Sequence, residues 1–367
     1  MAIKRRNKYW RKGFSVQWVV IVLLISCSNN EDTIIIDEDY STVDTTIAYS
    51  SEAYLRNSEA SILQLADGRL FCAYTQFQGG VCDSSTANIV GSYSFDGGLT
   101  WCAPHVIVQN TNANNVMSVS LVRYKNEIHM YFLSKNSDEE TKLDMDISRV
   151  ITFDETCNWG SVEILNKTVG YWGVLNDAVI VTRDNRILIP VSHYETYQHW
   201  TDKAYCFILY SNNGQDWHKT NELLLEDNCM GGLEPTLCEL SSGGILMSMR
   251  TKVGFQYFSY SNDGGKSLNE PFRLNLLSAD SPCKIFSYNQ SIFAIHNPKD
   301  RHRLVISRSN DDGQTWDEVH ELEENLSATI SYPSAFIANN RLYISHWFHS
   351  DVEWSLKFKA FHLTTLR

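Results

Sequence analysis

Several side chains in this 367-residue sequence have the type and setting to do chemistry. Arg250 closes the apolar run Ile245–Met249, where a guanidinium is costly unless an anion pairs with it. Glu234 opens the same segment, Glu234-Pro-Thr-Leu-Cys-Glu239-Leu. Asp83 lies in the Gly-rich stretch Gln78–Ser85 and is the sole carboxylate between Asp67 and Asp96. Arg56 precedes Glu59 closely, and Asn297-Pro298 leads into Arg301 and Arg303. Clustered arginines hold an anion through charge-assisted hydrogen bonds, and nearby carboxylates move protons. Tyr171 to Asp177 adds Trp172, Asn176 and Asp177, and His193 ends a following apolar run. No tight Cys/His spacing suggests zinc, and no cofactor is implied.

The charge balance sharpens this reading. Residues 4–12 hold six Lys or Arg, then Phe14–Ile25 is apolar but for Ser15 and Gln17, ending in Leu24-Ile25-Ser26-Cys27. That order describes a secretory signal over 1–26, too short for a comfortable membrane span. Leu-Ile-Ser-Cys also resembles the lipobox of bacterial lipoproteins, which implies lipidation of Cys27 and an outer-membrane location facing periplasm or exterior. Residues 27–45 then form an acidic tether, and 46–367 a single folded domain. Cleavage removes six positive charges and no negative ones, taking the formal charge from −12 to −18. A surface so acidic argues against nucleic acid and anionic membranes as partners, leaving the lipid as the one membrane link. Any anion site must be a local arginine cluster. Cys72, Cys206, Cys238 and Cys283 lie in or beside apolar runs and read as buried thiols. Cys82 and Cys102 look loop-borne and could pair.

Two motifs must position these residues. Ser-x-Asp-x-Gly-x-Thr-Trp is complete at Ser94–Trp101 and Ser309–Trp316, with weaker copies at 154–159, 210–217 and 261–268. Its Asp-equivalent positions are 96, 154, 212, 263 and 311. A turn followed by an apolar strand recurs with glycine-equivalent positions 68, 126, 185, 243, 290 and 340, in phase with the boxes. Gly, Asn and Asp supply the positive φ of tight turns. Runs such as 70–77, 128–133, 187–194, 245–249 and 342–348 are β-branched and aromatic, as strands are. Four strands per repeat of roughly 50 residues, six times over, predict an all-β, six-bladed β-propeller. Closure pairs a strand near Thr45–Tyr54 with the last repeat.

The box resembles the Asp box, or bacterial neuraminidase repeat, which implies a structural role for Asp96 and Asp311. The segment Glu234–Arg250 resembles glycoside hydrolase family 33, the sialidases, as do Ser331-Tyr332-Pro333-Ser334 and the Arg after Asn297-Pro298. The resemblance implies a retaining exo-glycosidase releasing terminal sialic acid or a related acidic keto-sugar. It makes Tyr332 the nucleophile, Glu234 its proton acceptor and Asp83 the acid/base. Arg56, Arg250 and Arg301 become the carboxylate ligands, with Arg301 preferred to Arg303. A neutral phenol meets an anomeric centre that bears a carboxylate without charge repulsion. Two departures stand out. Pro333 follows the Tyr, and Arg56-Asn-Ser-Glu59 replaces the family's Arg-Ile-Pro. Glu59 either braces Arg56 or reshapes the pocket, while Trp172, Asn176, Asp177 and His193 are possible contacts to the sugar ring. The expected partner is a sialylated or other acidic glycan, bound by a monomer. The alternatives are a propeller glycosidase of different sugar specificity, or a non-catalytic surface glycan binder. Convergence of the three arginines on one carboxylate, and contact between Tyr332 and Glu234, discriminate among them.

Overall fold

In the computed structural model the described residues are 42–111, 114–137, 144–156, 158–166, 168–194 and 203–366. Cys27 and the signal segment lie outside them. Among the described residues no helix is long and apolar enough to cross a membrane. Among the described residues the one helix is a 3-10 turn, Leu363–Leu366, and the other elements are strands. The runs singled out by their apolar, β-branched character are strands: Leu70–Phe77, Glu127–Ser137, Ile187–Tyr194, Ile245–Arg250 and Arg341–Ser350.

Each of these is the second strand of its repeat. It is joined to the first by the recurring turn, where Gly68, Asn185 and Asn340 adopt the positive φ their types favour. Repeats one, four and five are each a four-stranded antiparallel sheet. The sixth sheet takes its fourth strand from the other end of the chain: Thr42–Ala48 pairs antiparallel with Trp354–His362. This strand starts three residues before the expected one, so the tether's last positions are already sheet. The second and third repeats share a ten-stranded sheet. The short strand Tyr171–Gly173 joins them, antiparallel to Ile187–Tyr194 and parallel to Asp144–Thr152 at Tyr171 and Met145.

First strands touch from one repeat to the next. Arg56–Gln64 contacts both Asn115–Tyr124 and Ala328–Ala338, Leu233–Glu239 contacts Lys284–Tyr288, and the latter contacts Ala328–Ala338. The third repeat joins this series through Ile180–Val181 and Ile187–Tyr194. Apolar side chains fill the space between sheets: Leu188 and Ile208 of the third pack on Leu237, Ile245 and Met247 of the fourth.

The boxes close the turn between third and fourth strands. Asp96 accepts from the Thr100 amide at 2.9 Å and hydroxyl at 2.6 Å, and Ser94 Oγ accepts from the Gly98 amide at 2.8 Å. Asp311 and Asp263 repeat the pattern. A Cβ on Gly98 would overlap Phe358, against whose ring Trp101 packs edge-on. In the 210–217 copy the sequence alignment slips by one. Ser211 and Asn213, not Asn212, hold the Ser and Asp places, with Asn213 Oδ1 accepting from the Gln215 and Asp216 amides.

Candidate active site

One backbone device presents the chemistry. In four first strands the register slips by one residue: between Ser58 and Ser61, Met117 and Ser120, Leu233 and Thr236, and Ser331 and Ser334. Within each bulge one residue is left-handed: Glu59 (φ 55°), Ser118 (61°), Glu234 (41°) and Tyr332 (55°). A non-glycine residue there costs about 1–3 kcal/mol, and bulges re-aim side chains beside sites. All four side chains line one cavity of about 640 Å³. Pro333 and Pro235 each follow such a residue, where an absent amide donor costs the ladder little. The departure at Pro333 is thus a bulge residue.

The cavity joins Tyr332 to Glu234. The phenol donates to Glu234 Oε1 at 3.1 Å, and Glu234 Oε2 accepts from Arg250 Nη1 at 2.5 Å. Burial pushes the Tyr332 hydroxyl well above its ordinary pKa, and the adjacent Glu234 adds to the shift. Burial opposes the charge on Arg250, but Glu234, Tyr332 and Asp280 outweigh it and hold the guanidinium above its ordinary value. Arg301 lines the same wall, its guanidinium 5.9 Å from the Tyr332 ring centre. Arg303 turns outward to Glu318 and Glu321, so of the two arginines after Asn297-Pro298 the cavity receives Arg301.

Arg56 is placed differently. It is buried, does not line the cavity, and spends its guanidinium on Glu59 Oε1 (2.6 Å), Asp83 Oδ1 (2.6 Å) and the Val81 carbonyl (3.0 Å). Its ring neighbours are Phe77, Trp347 and Trp354. Asp83 and Glu59 both line the cavity, Asp83 with an exposed carboxylate. The three expected arginines therefore do not converge on one point: Arg250 and Arg301 face the cavity, and Arg56 stands behind two carboxylates.

Burial pushes the Glu59 carboxyl up to about 7 against the pull of Arg56. In the unfolded chain the same group ionises near its ordinary 4.5, so between those values the folded state holds the extra proton. Stability then falls as pH rises through that window. We expect the melting temperature of wild-type protein to fall between about pH 5 and pH 7 more steeply than that of Glu59→Gln. Parallel curves would place the Glu59 proton elsewhere.

Four expected sugar contacts do not reach the cavity. Tyr171 and Gly173 line it, as do Ser192 and Tyr194. Trp172 and His193 are the alternate residues of those strands, cross-strand partners whose rings meet at 4.4 Å, and they point into the core beside Phe207. Asn176 and Asp177 are buried joints. Asn176 Nδ2 donates to the carbonyls of Ala60 (2.9 Å) and Tyr332 (3.4 Å). Asp177 accepts from Ser61 Oγ at 2.6 Å and the Ala335 amide at 2.9 Å, and pairs with Lys284 at 2.8 Å. They tie the bulges bearing Glu59 and Tyr332 together from below.

Asp280 is a site residue that sequence reasoning missed. It pairs with Arg250 at 2.8 Å and approaches Lys252 at 3.8 Å. Its one signal is position: Asp280-Ser281-Pro282 precedes the fifth first strand much as Glu234-Pro235 stands in the fourth. An apolar wall of Met117, Leu133, Met145 and Val174 faces the charged groups. The expected Cys82–Cys102 pairing is not formed: Cys82 is a free thiol, exposed on its loop, while Cys102 is in a disulfide. Cys72, Cys206, Cys238 and Cys283 are buried and free.

No curated protein matches the chain. Among solved structures it is similar to a protein of unknown function from Dyadobacter fermentans, with TM-score 0.72 and 16% identity over 88% of this chain and 99% of that one. It is also similar to Trypanosoma rangeli sialidase (TM-score 0.68, 15% identity, 89% of this chain, 60% of that one). NanB sialidase from Streptococcus pneumoniae gives TM-score 0.68 and 13% identity over 88% and 70%. The chain thus spans about 60% of the trypanosomal enzyme's length. At these identities the likeness is one of fold. The model for the BNR repeat-like domain matches residues 68–344, most of the sequence. By that match the chain belongs to the BNR repeat-like domain family, with the sialidase-like fold of its structural neighbours.

Proposed function

We propose that this protein is a retaining exo-glycosidase releasing terminal sialic acid or a related acidic keto-sugar. The observation that carries the reading is the 3.1 Å hydrogen bond from Tyr332 to Glu234 in a cavity walled by Arg250 and Arg301. A non-catalytic glycan binder needs no such pair. Arg250 and Arg301 hold the sugar carboxylate, and the apolar wall suits an acyl substituent. The Tyr332 oxygen bonds to the anomeric carbon as its proton passes to Glu234. The glycosidic C–O bond breaks with protonation of the leaving oxygen by Asp83. Water then attacks the anomeric carbon, giving its proton to Asp83, while the Tyr332 oxygen leaves and recovers its proton from Glu234. Two inversions give retention. In this scheme Arg56 orients Asp83 and Glu59 and does not bind substrate.

Contacts run from each repeat to the next, between first strands except where Ile187–Tyr194 meets Leu233–Glu239, and the sixth returns to the first; this supports a closed six-bladed propeller as the scaffold. We place it on a lipid anchor at Cys27 in the outer membrane; release of a Cys27→Ser variant into the soluble fraction is the expected outcome, and membrane retention would refute the anchor.

The second reading, a glycosidase of different specificity, is favoured by the withdrawal of Arg56 behind Glu59 and Asp83. One experiment separates the two. Purified protein is expected to release methylumbelliferone from its sialoside. Protein inert on that substrate but active on another acidic glycoside supports the second reading, and protein that binds glycans without turning any over supports the binder.

A further inference from the structure

Asp280 holds two arginines at once, through different atoms. Its carboxylate Oδ1 accepts from Arg250 Nε at 2.8 Å and lies 2.8 Å from Nη2. Its main-chain carbonyl accepts from Arg301 Nε at 3.1 Å and Nη2 at 2.7 Å. The Nε–Nη2 edge is one of the paired-donor edges with which a guanidinium grips a carboxylate. One residue of this chain therefore covers that edge on both arginines that wall the cavity. The two contacts differ in what they can yield. The carbonyl is fixed by the chain, whereas the carboxylate is about 40% exposed and can swing toward Lys252, 3.8 Å from Oδ2 and equally exposed. Arg250 itself is largely buried between Glu234 and Asp280 and cannot follow.

We propose that Asp280 is an internal counter-anion that competes with the substrate carboxylate for Arg250, and so sets how strongly the cavity selects acidic sugars. This rests on the reading that the cavity takes an acidic sugar. An incoming carboxylate displaces the Asp280 side chain from the Nε–Nη2 edge of Arg250, and the displaced carboxylate moves to solvent and Lys252. A ligand without a charge leaves Asp280 where it is and gains nothing from Arg250. Asp280 thus lowers affinity for anions and leaves that for neutral analogues unchanged.

Asp280→Asn tests this, because it keeps the side-chain shape and the main-chain contact to Arg301 while removing the charge. The probes are 2,3-dehydro-sialic acid and its methyl ester, titrated calorimetrically at low ionic strength into wild-type and variant protein. The variant should bind the free acid about tenfold more tightly than wild type, and the ester within twofold of it. Added salt should narrow the difference. If wild type binds the acid and the variant binds it equally or more weakly, the counter-anion role is overturned while the acidic-sugar reading stands. If neither protein binds the acid, that reading fails and this inference with it.

Discussion

Tyr332→Phe should lower kcat on sialosides on the order of 10³-fold or more while leaving KM within a few-fold. The phenol oxygen is the bond-forming atom of the proposed first step, and the hydroxyls that flank it, Ser331 and Ser334, are buried against Ser281 and Ser345 away from the cavity. Phe keeps the ring against Trp347, 5.7 Å away, and beside Arg301, so the fold and the carboxylate seat survive. Glu234→Gln should cost nearly as much, because its Oε1 receives the Tyr332 proton. The two groups act as a unit, so the double variant should be hardly worse than either single one. Additive losses would mean that Glu234 serves Arg250 alone. A Tyr332→Phe enzyme within tenfold of wild type would remove Tyr332 from the chemistry.

The largest expected loss of stability comes from Asp177→Ala. The Asp177–Lys284 pair is buried, and Asp177 also receives Ser61 Oγ and the Ala335 amide, so it joins chain from the first, third, fifth and sixth repeats. Removing one partner leaves Lys284 as an uncompensated buried charge, which typically costs about 3–5 kcal/mol. Urea unfolding should show that loss for Asp177→Ala. Lys284→Met in the same background should recover part of it, since the stranded charge is then gone. A variant within about 0.5 kcal/mol of wild type would show that the joint is relaxed by water or by local movement.

Much of the scaffold is legible in the sequence because turns and boxes are local. A turn needing positive φ selects Gly or Asn, and a box closes through side chains two to four residues apart, so both survive as motifs. The same locality failed at Asn213, where two Asn in succession made the alignment ambiguous by one. Tyr332, Glu234, Arg250 and Arg301 were legible through family resemblance, and the structure brings them to one cavity. What composition could not supply is the face on which a side chain emerges. Trp172 and His193 lie at the right depth, yet strand alternation sends them inward and sends Tyr171, Gly173, Ser192 and Tyr194 to the cavity. The bulges were equally hidden, since the residues that share the left-handed φ are two Glu, a Ser and a Tyr, none of a type that favours it. Arg56 was found, with Glu59 three residues on as one expected brace, and the structure forms that pair; its second partner, Asp83, meets it only in three dimensions. Asp280 had no motif to announce it.

The claim on which the function turns is that Tyr332 forms the covalent bond to the sugar. Treating the protein with 2,3-difluorosialic acid slows the second step, and peptide mass spectrometry then locates the adduct. A sialyl mass on the peptide containing Tyr332, absent from Tyr332→Phe, is the predicted result. An adduct on Asp83, Glu59 or Glu234, or turnover of sialosides with no adduct at Tyr332, would contradict it.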